Sequence, residues 1–398
     1  MNQTIYDAVV IGGGPSGSTA ATDLALAGHS VLLIERGGRI KPCGGAVPPR
    51  LLADFDIPQS LLVAKARLAR MIAPSGRAVD MPVGEIGYVG MVDREEFDEA
   101  LRERARHSGA ERLTATFEKV ERDDQAHPIV TFRRGRGAPI ESVRARCVIG
   151  ADGARSAVAK QCLPGAERIP CVFAYHEIIK APPRNSQAFD AGRCDVFYQG
   201  RLSPDFYAWV FPHGDTASIG VGSANKGFSL RGAIATMRDD LGLDRCETVR
   251  REGAPIPLKP LKRWDNGADV IVAGDAAGIV APASGEGIYY AMVGGRLVAD
   301  AAAAFLKTGD AKHLRSARKA FMKEHGRVFW VLGMMQYFWY SSDKRRERFV
   351  TMCDDKDVQQ LTWQAYMNKR LVRAKPMAHI KIFIKDTAHL LGLRPATR

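Results

Sequence analysis

The chain lacks the features of a disulfide-stapled, metal-stabilised or membrane-spanning protein. Its seven cysteines, in 398 residues, are scattered, odd in number and never form a C-x-x-C pair. The sequence therefore predicts neither a disulfide framework nor a metal site. No apolar run approaches the roughly 20 residues of a spanning helix, and strand-like sequence from Ile5 leaves no room for a signal peptide. We expect a cytoplasmic protein.

Acidic residues are in deficit. Lys and Arg number 57 against 44 Asp and Glu, which gives a net charge of +13 and favours an anionic partner. Residues 369–398 hold eight basic residues and one acidic residue, so they carry +7 of this excess. The short basic run at 133–138 is typical of a solvated hairpin turn, and we predict no nucleic-acid binding.

What is present begins with a β-α-β unit. Residues 5–11 predict a buried strand, a glycine-rich turn ends it, an Ala-rich helix follows over 18–27, and a second strand covers 30–34. Short buried strands are also predicted at 147–150 and 270–273. This pattern is typical of a doubly wound α/β sheet.

The turn carries a dinucleotide fingerprint. Gly12, Gly14 and Gly17 fill the pattern G-x-G-x-x-G, in which the glycines permit a tight turn, close approach of a pyrophosphate and close helix packing. Glu35 follows the second strand, where a carboxylate accepts hydrogen bonds from the ribose hydroxyls of an adenosine. The sequence therefore predicts a dinucleotide site and leaves the identity of the dinucleotide open.

Two later segments indicate FAD. Residues 151–156 (ADGARS) and 273–278 (AGDAAG) each follow a predicted buried strand, and together they resemble the FAD motifs of p-hydroxybenzoate-hydroxylase-like flavoproteins. The resemblance implies that Asp275 binds the ribityl chain and that the turn at Asp152 and Gly153 lies near the pyrophosphate. Each segment alone is also compatible with a plain Asx turn.

The predicted fold class is α/β, with a Rossmann-like FAD domain interrupted by a β-rich substrate domain and followed by a C-terminal helical region. We expect the discontinuous FAD domain to cover residues 1–58, 88–163 and 264–325. The substrate domain should cover residues 59–87 and 164–263. The basic helical region should cover residues 326–398.

Three further segments resemble the geranylgeranyl reductase family, in its (bacterio)chlorophyll branch. They are 41–46 (KPCGGA), 87–94 (GYVGMVDR) and 204–212 (PDFYAWVFP), which fits P-x-x-Y-x-W-x-F-P. The resemblance implies an FAD enzyme that saturates C=C bonds of a geranylgeranyl chain to give phytyl, on a geranylgeranyl-bearing tetrapyrrole or on geranylgeranyl diphosphate. NADPH is the family's usual electron donor, and a ferredoxin-type donor would leave no motif.

Site residues follow from these motifs. Cys43 is the candidate proton donor or substrate-side gate, with simple packing as the alternative. Tyr207, Trp209 and Phe211 alternate with a period of two, so on a strand they share one face that could bind the prenyl chain or belong to the core. The predicted FAD-binding residues are Gly12, Gly14, Pro15, Ser16, Gly17, Glu35, Arg36, Cys43, Gly44, Gly45, Arg94, Asp152, Gly153, Gly274, Asp275, Gly285, Gly287 and Ile288.

The C-terminal sequence predicts contact with a membrane surface. Residues 328–340 form an uncharged, aromatic-rich stretch, and apolar residues alternate with basic ones near the C-terminus, from Ile380 to Leu391. Such a combination is typical of peripheral attachment to an anionic bilayer. Two other functions stay open: an FAD aromatic monooxygenase of the same fold, and a prenyl-binding escort protein without redox chemistry.

Overall fold

The computed structural model describes residues 5–38, 40–182 and 189–369. Within these ranges the chain forms seventeen strands and nine α-helices. The strands are β1 Ile5–Ile11, β2 Val31–Glu35, β3 Ala46–Val47, β4 Leu62–Ala66, β5 Leu68–Ile72, β6 Ala78–Pro82, β7 Val89–Val92, β8 Glu111–Thr114, β9 Thr116–Arg122, β10 Pro128–Arg133, β11 Glu141–Gly150, β12 Cys171–Lys180, β13 Arg193–Phe197, β14 Ala208–His213, β15 Thr216–Ser223, β16 Thr248–Pro257 and β17 Val270–Val272. The helices are α1 Pro15–Leu26, α2 Pro49–Asp54, α3 Arg94–His107, α4 Ala157–Cys162, α5 Leu230–Asp240, α6 Ile288–Thr308, α7 Arg315–Trp339, α8 Asp343–Met352 and α9 Lys356–Asn368.

The first sheet contains the glycine-rich turn. Its strands lie in the order β8-β2-β1-β11-β10-β9, and β17 also pairs with β11. The pairs β1–β2, β1–β11, β2–β8 and β11–β17 are parallel, whereas β9, β10 and β11 form an antiparallel extension. β1 and β2 are mostly buried, as expected for parallel strands that pack on both faces.

The second sheet contains the aromatic pattern. Its order is β16-β12-β15-β14-β13-β5-β6, and β14 pairs antiparallel with both β13 and β15. Ala208 and Val210 of β14 belong to a buried apolar cluster with Ile234 and Met237 of α5. Trp209 and Phe211 alternate with these residues, so they lie on the opposite face of the sheet. A third, three-stranded sheet has the order β3-β7-β4.

The described chain divides into two compact units. The first contains the described residues up to Val47 together with 92–174 and 253–333, and the second contains 48–91, 175–252 and the described residues from Met334 onward. The glycine-rich turn and the two later FAD motifs lie in the first unit, and the aromatic pattern lies in the second. The three-part division suggested by the sequence stays a prediction.

Local sequence patterns anticipate several elements closely. β1 has the predicted limits, and the helix after the glycine turn begins three residues earlier than predicted, at Pro15, because proline suits the first helical position. The Asp93 carboxylate caps α3 by accepting a hydrogen bond from the Glu95 N–H at 2.8 Å.

Among the helices that the structure describes, none combines the length and apolar character needed to cross a bilayer.

Candidate functional site

The turn between β1 and α1 leaves no room for side chains at two of its glycines. Gly12 has a φ of +103°, and a Cβ atom there would lie 2.3 Å from the Ala151 carbonyl oxygen. A Cβ atom at Gly17 would lie 1.9 Å from the Gly12 carbonyl oxygen. These two glycines therefore allow β1, α1 and the end of β11 to approach each other closely.

Gly14 is different, because its missing side chain borders open space. A Cβ atom at Gly14 would meet no heavy atom within 4 Å. Gly14 is the N-cap of α1 and provides no side-chain cap, and the buried Ser16 hydroxyl has no hydrogen-bond partner. An uncapped helix N-terminus that borders open space fits a diphosphate group. The residues present therefore fit the pyrophosphate of a dinucleotide such as FAD.

Glu35, at the end of β2, lies against the same turn. Its carboxylate accepts a hydrogen bond from the Gly13 N–H at 2.5 Å, and burial raises its pKa above the ordinary value. Arg102 of α3 donates to the Gly13 carbonyl at 3.2 Å. Arg102 was not anticipated from the sequence, and only its position on α3, which packs against α1, brings it there. Arg36 is exposed.

The glycine-rich turn and the segment 273–278 contact each other. A Cβ atom at Gly274 would lie 2.8 Å from Ser16 Cβ, so the short segment Gly274–Ala277 packs directly on the start of α1. Asp275 in this segment forms an ion pair with Lys41. A Cβ atom at Gly287 would lie 3.7 Å from Asp275 Oδ1, so the N-terminus of α6 is also adjacent.

In the segment 151–156, the Asp152 side chain bonds to the helix that follows it. The Asp152 carboxylate accepts hydrogen bonds from the Ser156 hydroxyl at 2.5 Å and from the Ala157 N–H at 2.6 Å, and it thereby caps the start of α4. Burial raises the pKa of Asp152 despite these bonds. Gly153 has a φ of +86°, and a Cβ atom there would lie 3.9 Å from Lys41 Nζ. The turn thus lies beside Lys41, while the Asp152 carboxylate caps α4.

Helix α6 begins at Ile288, just after Gly285 and Gly287, two residues predicted to bind FAD. Gly287 is its N-cap without a side-chain cap, and Gly285 has a φ of +65° that a side chain would strain. The helix is 21 residues long, so its N-terminus carries the partial positive charge of a full helix dipole. This end is suited to an anionic group.

Cys43 lies beside a buried ion pair. Its sulfur accepts a hydrogen bond from the Gly45 N–H at 3.4 Å, and the Arg94 guanidinium contacts it. Arg94 also binds Asp98 through two hydrogen bonds of 2.8 and 2.7 Å. Burial disfavours the charge on Arg94, but Asp98 and Cys43 outweigh that penalty and raise its pKa. Arg94 is therefore a fixed cation next to the thiol.

The predicted aromatic stripe is formed in the second unit. The ring centroids of Tyr207 and Trp209 are 5.9 Å apart, and those of Trp209 and Phe211 are 6.1 Å apart. The Trp209 indole packs against Gly220, its cross-strand neighbour on β15. We call Tyr207, Trp209 and Phe211 the aromatic face.

The α/β fold and the glycine-rich turn are typical of the class of FAD-binding oxidoreductases. Residues 7–172 and 226–385 match the family model described as Lycopene cyclase protein. A Rhodobacter capsulatus protein named Geranylgeranyl diphosphate reductase is 58% identical over 390 residues, and the match covers 98% of each chain. The chain belongs to the geranylgeranyl reductase family.

A plant relative and a solved structure extend the comparison. The chloroplastic Geranylgeranyl diphosphate reductase of Oryza sativa is 35% identical, and the match covers 96% of this chain and 85% of the plant chain. A crystal structure described as geranylgeranyl bacteriochlorophyll reductase-like, from Thermoplasma acidophilum, superposes with a TM-score of 0.81 at 22% identity, covering 94% of this chain and 99% of that one. At this identity the structural likeness is evidence for the fold.

Proposed function

We propose that the protein is an FAD-dependent reductase that saturates C=C bonds of a geranylgeranyl chain to give phytyl in (bacterio)chlorophyll biosynthesis. Its substrate is geranylgeranyl diphosphate, a geranylgeranyl-bearing tetrapyrrole, or both. The observation that carries this proposal is the end-to-end match, at 58% identity, to the Rhodobacter capsulatus protein of that name.

The first unit supplies the residues that hold the cofactor. When bound and reduced by the electron donor, FAD would supply the hydride for the reduction. The open space at Gly14 and the free Ser16 hydroxyl support a diphosphate at the start of α1. Glu35 would accept hydrogen bonds from the ribose, and Asp275 would exchange its Lys41 partner for the ribityl hydroxyls.

Cys43 is the proposed proton donor. An isolated alkene is a poor hydride acceptor, so reduction requires a proton on the carbon that does not receive the hydride. The Cys43 thiol would donate this proton and recover it from solvent. The adjacent Arg94 cation would stabilise the thiolate left behind.

The aromatic face is the proposed contact for the prenyl chain. Each buried CH₂ group contributes about 0.8 kcal/mol, so a twenty-carbon chain supplies on the order of 10 kcal/mol before ordering costs. Aromatic rings also stabilise positive charge that develops on carbon during protonation. Trp209 and Phe211 on β14, together with Tyr207 just before the strand, offer both effects.

NADPH is the proposed electron donor, by resemblance to the family. The net charge of +13 favours an anionic donor of this kind. Stopped-flow reduction of the bound flavin by NADPH, NADH and reduced ferredoxin tests this directly. Fast reduction by ferredoxin alone would overturn the assignment.

An anionic membrane surface is the proposed partner. Trp330, Met334 and Tyr337 follow each other at helical spacing along α7 and are 68%, 51% and 81% exposed. Arg345 stacks on Phe338 near the end of the same helix, at 4.3 Å from the ring centroid. Exposed aromatic residues beside cations favour the interface of an anionic bilayer. Residues 370–398, which include the rest of the predicted basic tail and its apolar residues between Ile380 and Leu391, lie outside the described residues.

One anaerobic assay tests the function. Purified holoenzyme with NADPH and either candidate substrate should give products heavier by two hydrogen atoms for each bond reduced, measured by mass spectrometry. Oxygen-dependent hydroxylation would instead indicate a monooxygenase. A colourless protein that binds the prenyl substrate and takes up no FAD would indicate an escort protein.

A further inference from the structure

A chain of buried hydrogen bonds lies beside the aromatic face, on the same side of the sheet. The Trp209 indole N–H donates to the Ser218 hydroxyl at 3.1 Å, and Ser218 lies 3.1 Å from His176 Nδ1. On the other side of the ring, His176 Nε2 lies 3.0 Å from Glu252 Oε2. All three contacts lie within the second unit and join strands β14, β15, β12 and β16.

With an ionised Glu252 and a neutral His176, each bond in this chain has one direction. An ionised Glu252 can only accept hydrogen bonds, and its other oxygen is paired with Arg250. The proton of the His176 ring is therefore on Nε2, and this N–H donates a hydrogen bond to the Glu252 carboxylate. In the neutral ring Nδ1 is then an acceptor, and it receives the Ser218 hydroxyl proton. Ser218 in turn uses its oxygen to accept the Trp209 N–H. The neutral tautomer therefore satisfies all of these groups.

The indole has no freedom on its remaining side. A Cβ atom at Gly220 would lie 2.0 Å from Trp209 Cζ2, so the ring lies against the backbone of β15. The His176 ring is 6.4 Å from the Trp209 ring, between centroids. Contact with Gly220 sets the depth of the indole, and the hydrogen bond to Ser218 sets its rotation about χ2.

We propose that His176, acting through Ser218, is a positioning residue that fixes the orientation of Trp209 on the aromatic face and thereby tunes binding of the prenyl chain. This inference rests on the proposed function, in which Trp209 contacts that chain. Glu252 holds the histidine tautomer, so the carboxylate determines that Ser218 presents its lone pair to the indole.

Two substitutions at position 176 separate this role from simple packing. His176→Asn keeps an amide at the place of Nδ1 and preserves the contact with Ser218, whereas His176→Gln reaches the place of Nε2 and preserves the contact with Glu252. We expect His176→Gln and Ser218→Ala to raise KM for the prenyl substrate about threefold to tenfold with kcat little changed, as expected for one lost hydrogen bond. His176→Asn should stay close to the wild type.

A spectroscopic readout follows the indole itself. In holoenzyme labelled with 5-fluorotryptophan, the ¹⁹F signal assigned by Trp209→Phe should shift in His176→Gln and Ser218→Ala, and should keep its position in His176→Asn. Trp209→Phe removes the N–H, so adding Ser218→Ala to it should raise KM no further. If His176→Gln does not fold, Ser218→Ala gives the same comparison.

The outcomes separate this inference from the proposed function. If Ser218→Ala and both position-176 variants keep the wild-type KM and signal position while their melting temperatures fall, His176 is only structural and the inference is overturned. If Trp209→Ala leaves the KM for the prenyl substrate unchanged, the proposed role of the aromatic face fails. In that case the ¹⁹F signal still reports whether His176 holds the indole.

Discussion

The Trp209 indole and Gly220 are cross-strand neighbours in such close contact that no side chain fits between them. A Cβ atom at position 220 would lie 2.0 Å from Cζ2 and 2.3 Å from Cε2 of the indole. The Trp209 indole can therefore occupy this position only because residue 220 has no side chain. This relationship makes the aromatic face sensitive to a single methyl group.

We expect Gly220→Ala to displace the indole and to lower the free energy of unfolding by about 1–3 kcal/mol, as overpacked sites do. The weaker prenyl binding that follows from a displaced Trp209 should appear as a higher KM. Urea unfolding and steady-state kinetics measure the two effects. In a Trp209→Ala background the same Gly220→Ala change should cost far less, and equal costs in both backgrounds would contradict the proposed contact.

Two glycines of the fingerprint should respond differently to the same substitution. Gly14→Ala adds a methyl group to open space, so the unfolding free energy of the unloaded protein should change by no more than about 0.5 kcal/mol. FAD affinity should fall at least about tenfold, or about 1.4 kcal/mol, because the methyl group occupies the proposed diphosphate position.

Gly17→Ala is the matched control. Its methyl group would collide with the Gly12 carbonyl oxygen, so it should lower the unfolding free energy by about 3 kcal/mol even without cofactor. Denaturant melts and fluorimetric FAD titration compare the pair. Normal FAD loading by Gly14→Ala would show that the diphosphate lies elsewhere.

The glycine-rich turn could be predicted from the sequence because its geometry is local. Gly12, Gly14 and Gly17 fall between one strand and one helix, and the spacing alone assigns each glycine its place. The alternation of Trp209 with Phe211 likewise identifies a shared sheet face. Asp152 shows the limit of such patterns, since the same residues fit an Asx-type cap, and in the structure its carboxylate caps α4.

The hydrogen-bond network beside the aromatic face could not be predicted, because its members are far apart in sequence. His176, Ser218 and Glu252 come from three strands that only the order of the second sheet brings together. Arg102 reaches the glycine turn from a helix in the same way. A single histidine or arginine has no local signature, so strand order and helix packing had to be known first.

Glu35 should make the stability of the unloaded protein depend on pH. Burial raises the pKa of its carboxyl group, so its contribution to stability is present at low pH and is lost as the pH rises through the raised pKa. Glu35→Gln removes this loss. The variant should therefore gain stability relative to the wild type as the pH rises above the ordinary glutamic acid pKa of about 4.3.

Urea unfolding of both unloaded proteins across that range measures the difference. FAD affinity should move in the opposite direction, because the amide is a weaker acceptor for the ribose hydroxyls than a carboxylate. A wild-type protein that becomes the more stable of the two as the pH rises would contradict the raised pKa.

Cys43 should affect the chemical step of alkene reduction. With pre-reduced enzyme under anaerobic conditions, Cys43→Ala and Cys43→Ser should slow single-turnover alkene reduction about a hundredfold, the usual contribution of a positioned proton donor. Rapid quench with product mass spectrometry measures the rate. Cys162→Ala, in the same unit, is the control and should react at the wild-type rate; wild-type rates in both Cys43 variants would remove the thiol from the mechanism.

The exposed aromatic residues of α7 should determine membrane binding. Replacing Trp330 and Tyr337 together by Ser removes two large apolar side chains from the helix surface, and we expect the partition coefficient onto anionic liposomes to fall at least about tenfold. Because both side chains are exposed, the melting temperature should stay near the wild-type value. Co-sedimentation with liposomes measures the partitioning.

Leu26→Ser provides a matched control, because Leu26 is also an exposed apolar residue on a helix, at 70% exposure, but lies at the end of α1. A general loss of surface hydrophobicity would lower the partitioning of both variants, whereas a membrane contact at α7 affects only the double variant. Binding that persists on neutral liposomes at high salt would mean that charge makes no contribution. Equal sedimentation of the double variant and the wild type would exclude α7 as the contact and leave the basic C-terminal sequence as the candidate.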